Sequence, residues 1–329
     1  MKYNKILFVG HSLSPFTPAI LDNLRLLNYQ VNFFDHYNPD LWSKLLGVIN
    51  IKLLQKSGRF KKIITQYINT AFYRKTLQFN PDLILIFKGK ELFPETIKQV
   101  RKKGYVVINW FPDFFDDWIW IKKNAANYDY FFTPCLYVQK QLKNIGVTSY
   151  YLPFAANAVN FYTQTKKIYQ ATFVGRWTKR REILFKQILH AGLLDVWGYY
   201  HWNNTVYKSI YHGQIHPSKV ANIIRASKIT LNTVTCEKNI SILSVNYRVF
   251  ETTGVGGFIL TWYNTPLEDF FNIGKEVEIF HTSDEALEKT RFYLKNDRAR
   301  EKIAKAGWMK TIRQHTYQKR LQQLFSTIE

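Results

Sequence analysis

Short apolar runs that suit buried strands alternate with helix-like segments along almost the entire chain, and the alternation breaks once before starting again. The first series places strands at residues 5–9, 30–34, 81–87, 105–109, 128–132 and 149–152, with helices at 18–27, 95–103 and 137–144 among them. The second places strands at 171–174, 193–197, 228–232, 257–262 and 276–280, separated by helices at 181–190, 217–226, 246–253 and 283–295. A last stretch, 297–328, reads as helical throughout. Strands that are apolar on both faces must be covered on both, and intervening helices make their pairing parallel, so each series predicts a doubly wound α/β sheet. Residues 153–164, rich in Ala, Asn and Thr and lacking periodicity, mark the join. A length of 329 residues, 46% hydrophobic, suits two cores better than one.

Composition excludes several classes. Cys135 and Cys236 are far apart and lack metal-ligand spacing, which argues against a disulfide framework or a zinc site and fits a reducing compartment. The apolar run 6–9 is too short for a signal sequence, and no run approaches the roughly 20 residues of a spanning helix, so a cytoplasmic protein is expected. The net charge of +22 points to an anionic partner. Residues 41–80 contain no Asp or Glu but carry Lys44, Lys52, Lys56, Arg59, Lys61, Lys62, Arg74 and Lys75 among aliphatic residues at helical spacing. Two readings stand side by side: a patch for an anionic membrane surface, and the solvated face of helices in a basic protein.

The segment from Asn246 to Thr261 reads as a helix followed by a Gly-rich turn and a buried strand. Val249, Phe250 and Thr253 fall on one helix face, and Arg248 and Glu251 are three apart on another. Gly254, Gly256 and Gly257 remove side chains where the chain turns and where a ligand could approach backbone. Other phrases follow a consistent order: Phe173-Val-Gly-Arg-Trp177 with Lys179, Arg180 and Arg181; Trp197-Gly-Tyr-Tyr200; Ile273-Gly-Lys-Glu-Val277; Ala304-Lys-Ala-Gly307; and His315-Thr-Tyr317 with Arg320. Over residues 170–325 this order, with Asn246-x-Arg248-x-Phe250-Glu251 at its centre, resembles the donor half of GT-B glycosyltransferases, in particular the spore-maturation-protein-like (CgeB-type) branch.

The resemblance implies a GT-B fold: two Rossmann-like doubly wound parallel-sheet domains facing across a cleft, with a C-terminal helix crossing back to the first. The corresponding division is an acceptor domain at 1–155, a nucleotide-sugar donor domain at 156–308 and the returning helix at 309–329. Ligands of open α/β sheets bind beyond the carboxyl ends of strands, so the loops after Val9, Asn109 and Val174 are the expected places for chemistry. By resemblance, Glu251 accepts hydrogen bonds from the donor ribose, with an ion pair to Arg248 as the alternative. Arg176 and Arg181 match the basic positions of the phosphate loop, and Asn246 and Arg248 belong to the same motif. Gly198 and Tyr199, after a strand end, would frame the nucleobase or form an ordinary turn; Gly256 and Gly257 would admit the donor to backbone.

A transferase gains from a general base, for which Asp113 is the first candidate and His11 the second. Aromatics flank Asp113 and would raise its pKa by desolvation. An ordinary loop position is the alternative for each. Many retaining relatives carry a glutamate eight residues before Glu251, where this chain has Leu243, a departure from that mechanism. Asp116 and Asp117 suggest a metal pair, but the family uses protein cations, and His212 and His216 are interrupted by Gly213 and precede Pro217, so no metal or other cofactor is expected.

The function implied is transfer of a sugar from a nucleotide sugar to an acceptor hydroxyl, on a lipid-linked or membrane-proximal glycan of bacterial cell-surface polysaccharide assembly. The alternatives are a GT-B nucleotide-sugar epimerase, a catalytically inactive scaffold, and a nucleic-acid-binding protein. For the last, charge is the one supporting feature, and no helix-turn-helix, zinc-finger or RNP signature accompanies it.

Overall fold

The computed structural model describes residues 3–40, 45, 58–113, 117–157, 165–233 and 243–329. The expectations for residues 41–44 and 46–57 of the basic segment, for 158–164 of the join, and for Asp116 and Cys236 lie outside the described residues. The chain divides into two compact units, Met1–Leu152 with Leu321–Glu329, and Pro153–Arg320.

In the first unit, β1 (Lys5–Gly10), β2 (Gln30–Asp35), β3 (Leu83–Phe87), β4 (Val106–Trp110), β5 (Tyr130–Thr133) and β6 (Tyr150–Tyr151) form one sheet. Their order is β2-β1-β3-β4-β5-β6, and all pairings are parallel, with Ile6 opposite Leu83 and Ile108 opposite Tyr130. Every residue of β3 is buried, which the run Leu-Ile-Leu-Ile-Phe achieves only with helices on both faces. Those helices are α1 (Phe16–Leu26), α2 (Gly58–Phe79), α3 (Pro94–Lys102), α4 (Trp118–Asn124) and α5 (Leu136–Asn144). Ile68 and Phe72 of α2 lock into the core with Phe34, Ile84 and Ile86, while Lys61, Lys62 and Arg74 stay exposed on its outer face. The inner stripe thus packs against the sheet, and the basic outer face remains available.

In the second unit, β7 (Tyr169–Val174), β8 (Leu194–Trp197), β9 (Ser227–Asn232), β10 (Ile259–Trp262) and β11 (Glu278–Phe280) pair in the parallel order β11-β10-β9-β7-β8. Phe173, Phe185, Trp202, Leu231, Phe258 and Leu260 form the centre of its core. The helices are α6 (Lys179–Leu184), α7 (Lys186–His190), α8 (Pro217–Ala226), α9 (Tyr247–Gly254), α10 (Ser283–Lys295) and α11 (Asp297–Gln314); α12 (Tyr317–Ile328) follows, its residues from Leu321 onward belonging to the first unit. Val249, Phe250 and Thr253 of α9 are all buried, and Thr311 Oγ1 of α11 donates to Thr253 Oγ1 at 2.7 Å. Among the described residues no helix is long and apolar enough to cross a membrane.

Two expected helices differ. The segment 181–190 is two short helices, α6 and α7, the first capped by Thr178 Oγ1 accepting from Arg181 N. The segment 297–328 breaks at His315–Thr316 because Ala156 takes the backbone groups that a continuous helix would use: Ala156 N donates to His315 O (2.8 Å), and Tyr317 N donates to Ala156 O (3.0 Å). Helix α11 runs uninterrupted through 308–309, and the chain passes from the second unit to the first at Arg320–Leu321.

Candidate functional site

The order of each sheet contains one switch point, where consecutive connections leave in opposite directions and open a crevice beyond the strand ends. In the second unit it lies between β7 and β9, which end at Val174 and Asn232. Arg181 spans it. Its Nη1 donates to Arg176 O (2.7 Å) in the loop after β7, and its Nη2 donates to Thr233 O (3.1 Å) directly after β9. The residue is 7% exposed, and its buried Nε has no hydrogen-bond partner among the described residues. Desolvation, followed by the nearby charges of Arg176 and Arg248, pushes the guanidinium down from its ordinary range. A guanidinium starts so high that it stays charged at neutral pH, so three positive groups crowd this crevice and favour an anion.

The start of α9 completes the group. Asn246, its N-cap residue, exchanges amide hydrogen bonds with Asn232 (3.0 and 3.2 Å) and donates to Thr233 O (3.4 Å), the carbonyl that Arg181 also uses. One turn later, Arg248 Nη1 is ion-paired with Glu251 Oε2, and Tyr247 Oη donates to Glu251 Oε1 at 2.7 Å. The chain folds locally this way because residues three and four apart share a helix face, and Val249 and Phe250 bury the opposite one. The pair is largely buried, with 19% and 11% of its side chains exposed. Arg176, Arg181, Asn246, Arg248 and Glu251 are therefore brought together. Glu251 holds its Arg248 partner, the alternative that its spacing allowed, and does so at the edge of the cationic crevice.

Gly198 and Tyr199 follow β8, the neighbour of β7. A Cβ at Gly198 would lie 2.0 Å from Gly175 O, so only glycine lets the two strand ends approach, and Tyr199 is 56% exposed beside them. Gly256 and Gly257 do not join this group. They follow the opposite end of α9, where a Cβ on Gly257 would meet Ile224 Cγ2 at 2.5 Å; Gly257 serves packing instead of ligand approach.

In the first unit the switch point lies between β1 and β3, and His11 directly follows β1. Its ring stacks on Tyr37 with centroids 4.4 Å apart, and its Nδ1 is 3.7 Å from Asp35 Oδ1. Burial lowers the His11 pKa against the opposing pull of Asp35, leaving a neutral imidazole able to accept a proton. Burial works to raise the Asp35 carboxyl, but hydrogen bonds from Ser12, Tyr37 and Asn38 outweigh it and hold the group below the usual range. Asp113 does not occupy the desolvated environment expected from its aromatic neighbours. It is 46% exposed and pairs with Lys88 Nζ at 2.5 Å. Lys88 sits at the end of β3 with φ of 68°, a left-handed conformation rare outside glycine and frequent at functional sites.

His212 and His216 serve separate local roles. His212 Nε2 lies 2.6 Å from Asp195 Oδ1 and stacks on Trp197, whereas His216 caps α8 by accepting from Ser218 N. Asp117 pairs with Lys90.

Residues 180–326 match the model of a family described as glycosyl transferase-like. A comparison with curated protein sequences finds no match. Among solved structures, sucrose-phosphate synthase from Thermosynechococcus elongatus is similar with a TM-score of 0.68 at 10% identity, over 99% of this chain and 99% of that one. Anabaena Alr3699/HepE in complex with UDP-glucose gives 0.64 at 11% identity, over 98% of this chain and 99% of that one. AviGT4, a glycosyltransferase involved in avilamycin A biosynthesis, gives 0.64 at 12% identity, over 98% and 96%. The chain has the GT-B fold.

Several residues of the GT-B second unit carry the site without having been legible in its sequence. Asn232 and Thr233 end a strand with no motif of their own, and nothing in the sequence singles out Tyr247, whose hydroxyl donates to Glu251. In the first unit, Lys88 beside Gly89 at the end of a buried strand was the available signal for an unusual backbone.

Proposed function

We propose that this chain is a glycosyltransferase that moves a sugar from a nucleotide-sugar donor to an acceptor hydroxyl. The observation that supports the reading most is Arg181 bridging the ends of β7 and β9, with Arg176 and Arg248 beside it and Glu251 one turn into α9. A departing nucleoside diphosphate carries its developing charge on phosphate oxygens, and fixed guanidinium groups stabilise that charge without reorganisation. Glu251 then accepts hydrogen bonds from ribose hydroxyls, exchanging part of its interaction with Arg248 and Tyr247. Gly198 and Tyr199 flank the base. These protein cations take the place of a metal, as they generally do in GT-B enzymes.

The first unit supplies the acceptor side. His11, neutral by burial, takes the acceptor proton as the new bond to the anomeric carbon forms and the bond to phosphate breaks; Asp113 is the second candidate for that role. The sugar is a hexose, and UDP is the first nucleotide to try, because a structural neighbour is described with UDP-glucose. A lipid-linked or membrane-proximal acceptor in bacterial cell-surface polysaccharide assembly fits the exposed Lys61, Lys62 and Arg74 of α2, each contributing on the order of 1 kcal/mol near anionic headgroups at the cytoplasmic membrane face. Flotation with anionic vesicles should weaken in the Lys61→Gln/Lys62→Gln variant.

Thermal stabilisation by a panel of nucleotide sugars tests the reading. The expected result is a shift with one UDP-, GDP- or CMP-type donor and none with NAD or ATP. Conversion of that donor to an isomeric nucleotide sugar without acceptor would instead favour an epimerase.

A further inference from the structure

At the opposite end of the second sheet from Arg181, a cavity of about 340 Å3 opens below the amino ends of β7, β9 and β10. With about 3.3 Å per residue along a six-residue strand, roughly 20 Å separates it from the cationic crevice. Lys166, Lys167, Arg225, Lys228 and Arg300 line it, with Glu301 as the one lining carboxylate among the described residues. Its volume falls at the lower end of the ~300–1,000 Å3 typical of ligand pockets.

Local partners account for part of this charge. Asp297 accepts from Arg300 Nη1 at 2.6 Å and lies 3.9 Å from Lys228, and Lys167 Nζ donates to Arg225 O, a carbonyl in the last turn of α8. The C-termini of α8 and α9 and the N-terminus of α11 also border the pocket, each contributing about half a charge. Five cations against two carboxylates and these helix ends leave an excess of about two to three positive charges. Arg300 is 2% exposed and also donates to Tyr293 O at 2.6 Å, which fixes its orientation, whereas Arg225 and Lys228 are half-buried and Lys166 and Lys167 are exposed. Although much of Lys167 is exposed, loss of water around its ammonium, followed by the charge of Arg300, lowers its pKa. Gly256, with φ of 76°, leaves the α9 end of the wall without a side chain.

We propose that this pocket is a second anion site, binding a phosphate-bearing group of about two negative charges independently of the crevice at Arg181. Phosphate oxygens suit the convergence of lysine and arginine donors, and about two charges lie within the excess. The group is either a free polyphosphate or the headgroup of a phospholipid, and the two share this chemistry. An occupant would rest against the end of α9, whose first turn carries Arg248, ion-paired with Glu251.

Lysine acetylation of the full chain, read residue by residue by mass spectrometry, locates the site. Inorganic pyrophosphate should slow acetylation of Lys167 at least fivefold while leaving Lys61 and Lys62 unchanged. In the Lys166→Gln/Lys228→Gln variant, with circular dichroism and melting temperature matching the parent, that protection of Lys167 should disappear. Vesicles of phosphatidylcholine with and without phosphatidic acid form the second arm. Protection by pyrophosphate alone supports a free anion, and protection by phosphatidic acid vesicles alone supports a lipid headgroup. Unchanged Lys167 acetylation in both arms, or protection that persists in the double variant, overturns the proposal.

Discussion

Arg181 and Thr233 are joined by a hydrogen bond of 3.1 Å from the guanidinium to the backbone carbonyl, and this contact ties the loop after β7 to the end of β9 across the switch point of the second sheet. The same side chain reaches Arg176 O, so one residue both closes the architecture and sets the electrostatics of the crevice.

Replacing Arg181 with methionine should separate those two roles. Methionine keeps much of the volume but leaves two carbonyls without their charged donor, at a cost of roughly 1.5–3 kcal/mol. Urea unfolding should show that loss, and donor affinity should fall at least tenfold. An unchanged affinity would show that the crevice does not hold phosphate.

The glycines should divide by position. Gly198→Ala forces a methyl against Gly175 O, and Gly257→Ala forces one against Ile224 and Thr252, so each should cost about 1–3 kcal/mol. Gly198→Ala should also weaken donor binding, because Gly175 adjoins Arg176. Gly257→Ala should leave donor affinity within twofold, measured at a temperature where both variants are folded.

Acid should inactivate through His11. Its folded-state pKa lies below the ordinary 6.5, so the imidazole stays neutral as pH falls past 6.5 and gains its proton only at lower pH. The rate of transfer should hold through that first interval and then decline, and His11→Gln should reduce it by about 100-fold or more. If His11→Gln retains full activity, Asp113→Asn becomes the decisive variant.

His315 should contribute to stability with a defined pH window. It is buried among Phe250, Phe270 and Phe271, with Nε2 donating to Phe270 O and Nδ1 accepting from Arg320 Nη2. Burial, then Arg320, lowers its pKa from 6.5 to about 4. The unfolded chain binds the proton first, so stability is complete above 6.5 and falls as pH drops from 6.5 towards 4. At ~1.4 kcal/mol per pH unit, the loss is roughly 3 kcal/mol. A His315→Gln variant should lose less stability than the parent between pH 7 and pH 4, as followed by chemical denaturation.

The fold was largely legible because a fully buried parallel strand such as β3 leaves a continuous apolar run, and helices such as α8 and α10 carry period and caps of their own. Tertiary competition for backbone groups was not: nothing local in His315-Thr316-Tyr317 announces that Ala156 interrupts the helix there. At the site, the motif located Asn246, Arg248 and Glu251 on one helix start, but their neighbours Asn232 and Thr233 become visible only once β9 lies beside β7. The glycines misled in part because a missing side chain serves packing as readily as ligand approach, and Gly257 against Ile224 is the former. The setting of Asp113 differs from the expected one because flanking aromatics in sequence do not fix burial, and Lys88 lies beside its carboxylate.

Calorimetric titration with UDP, GDP and CDP, using the parent chain and the Arg176→Gln and Glu251→Gln variants, decides whether the crevice at Arg181 holds a nucleoside diphosphate. One nucleoside diphosphate should bind with one-to-one stoichiometry, and each substitution should weaken that binding at least tenfold at a temperature where both variants are folded. Binding that is equally tight in the parent and both variants would contradict the proposed site.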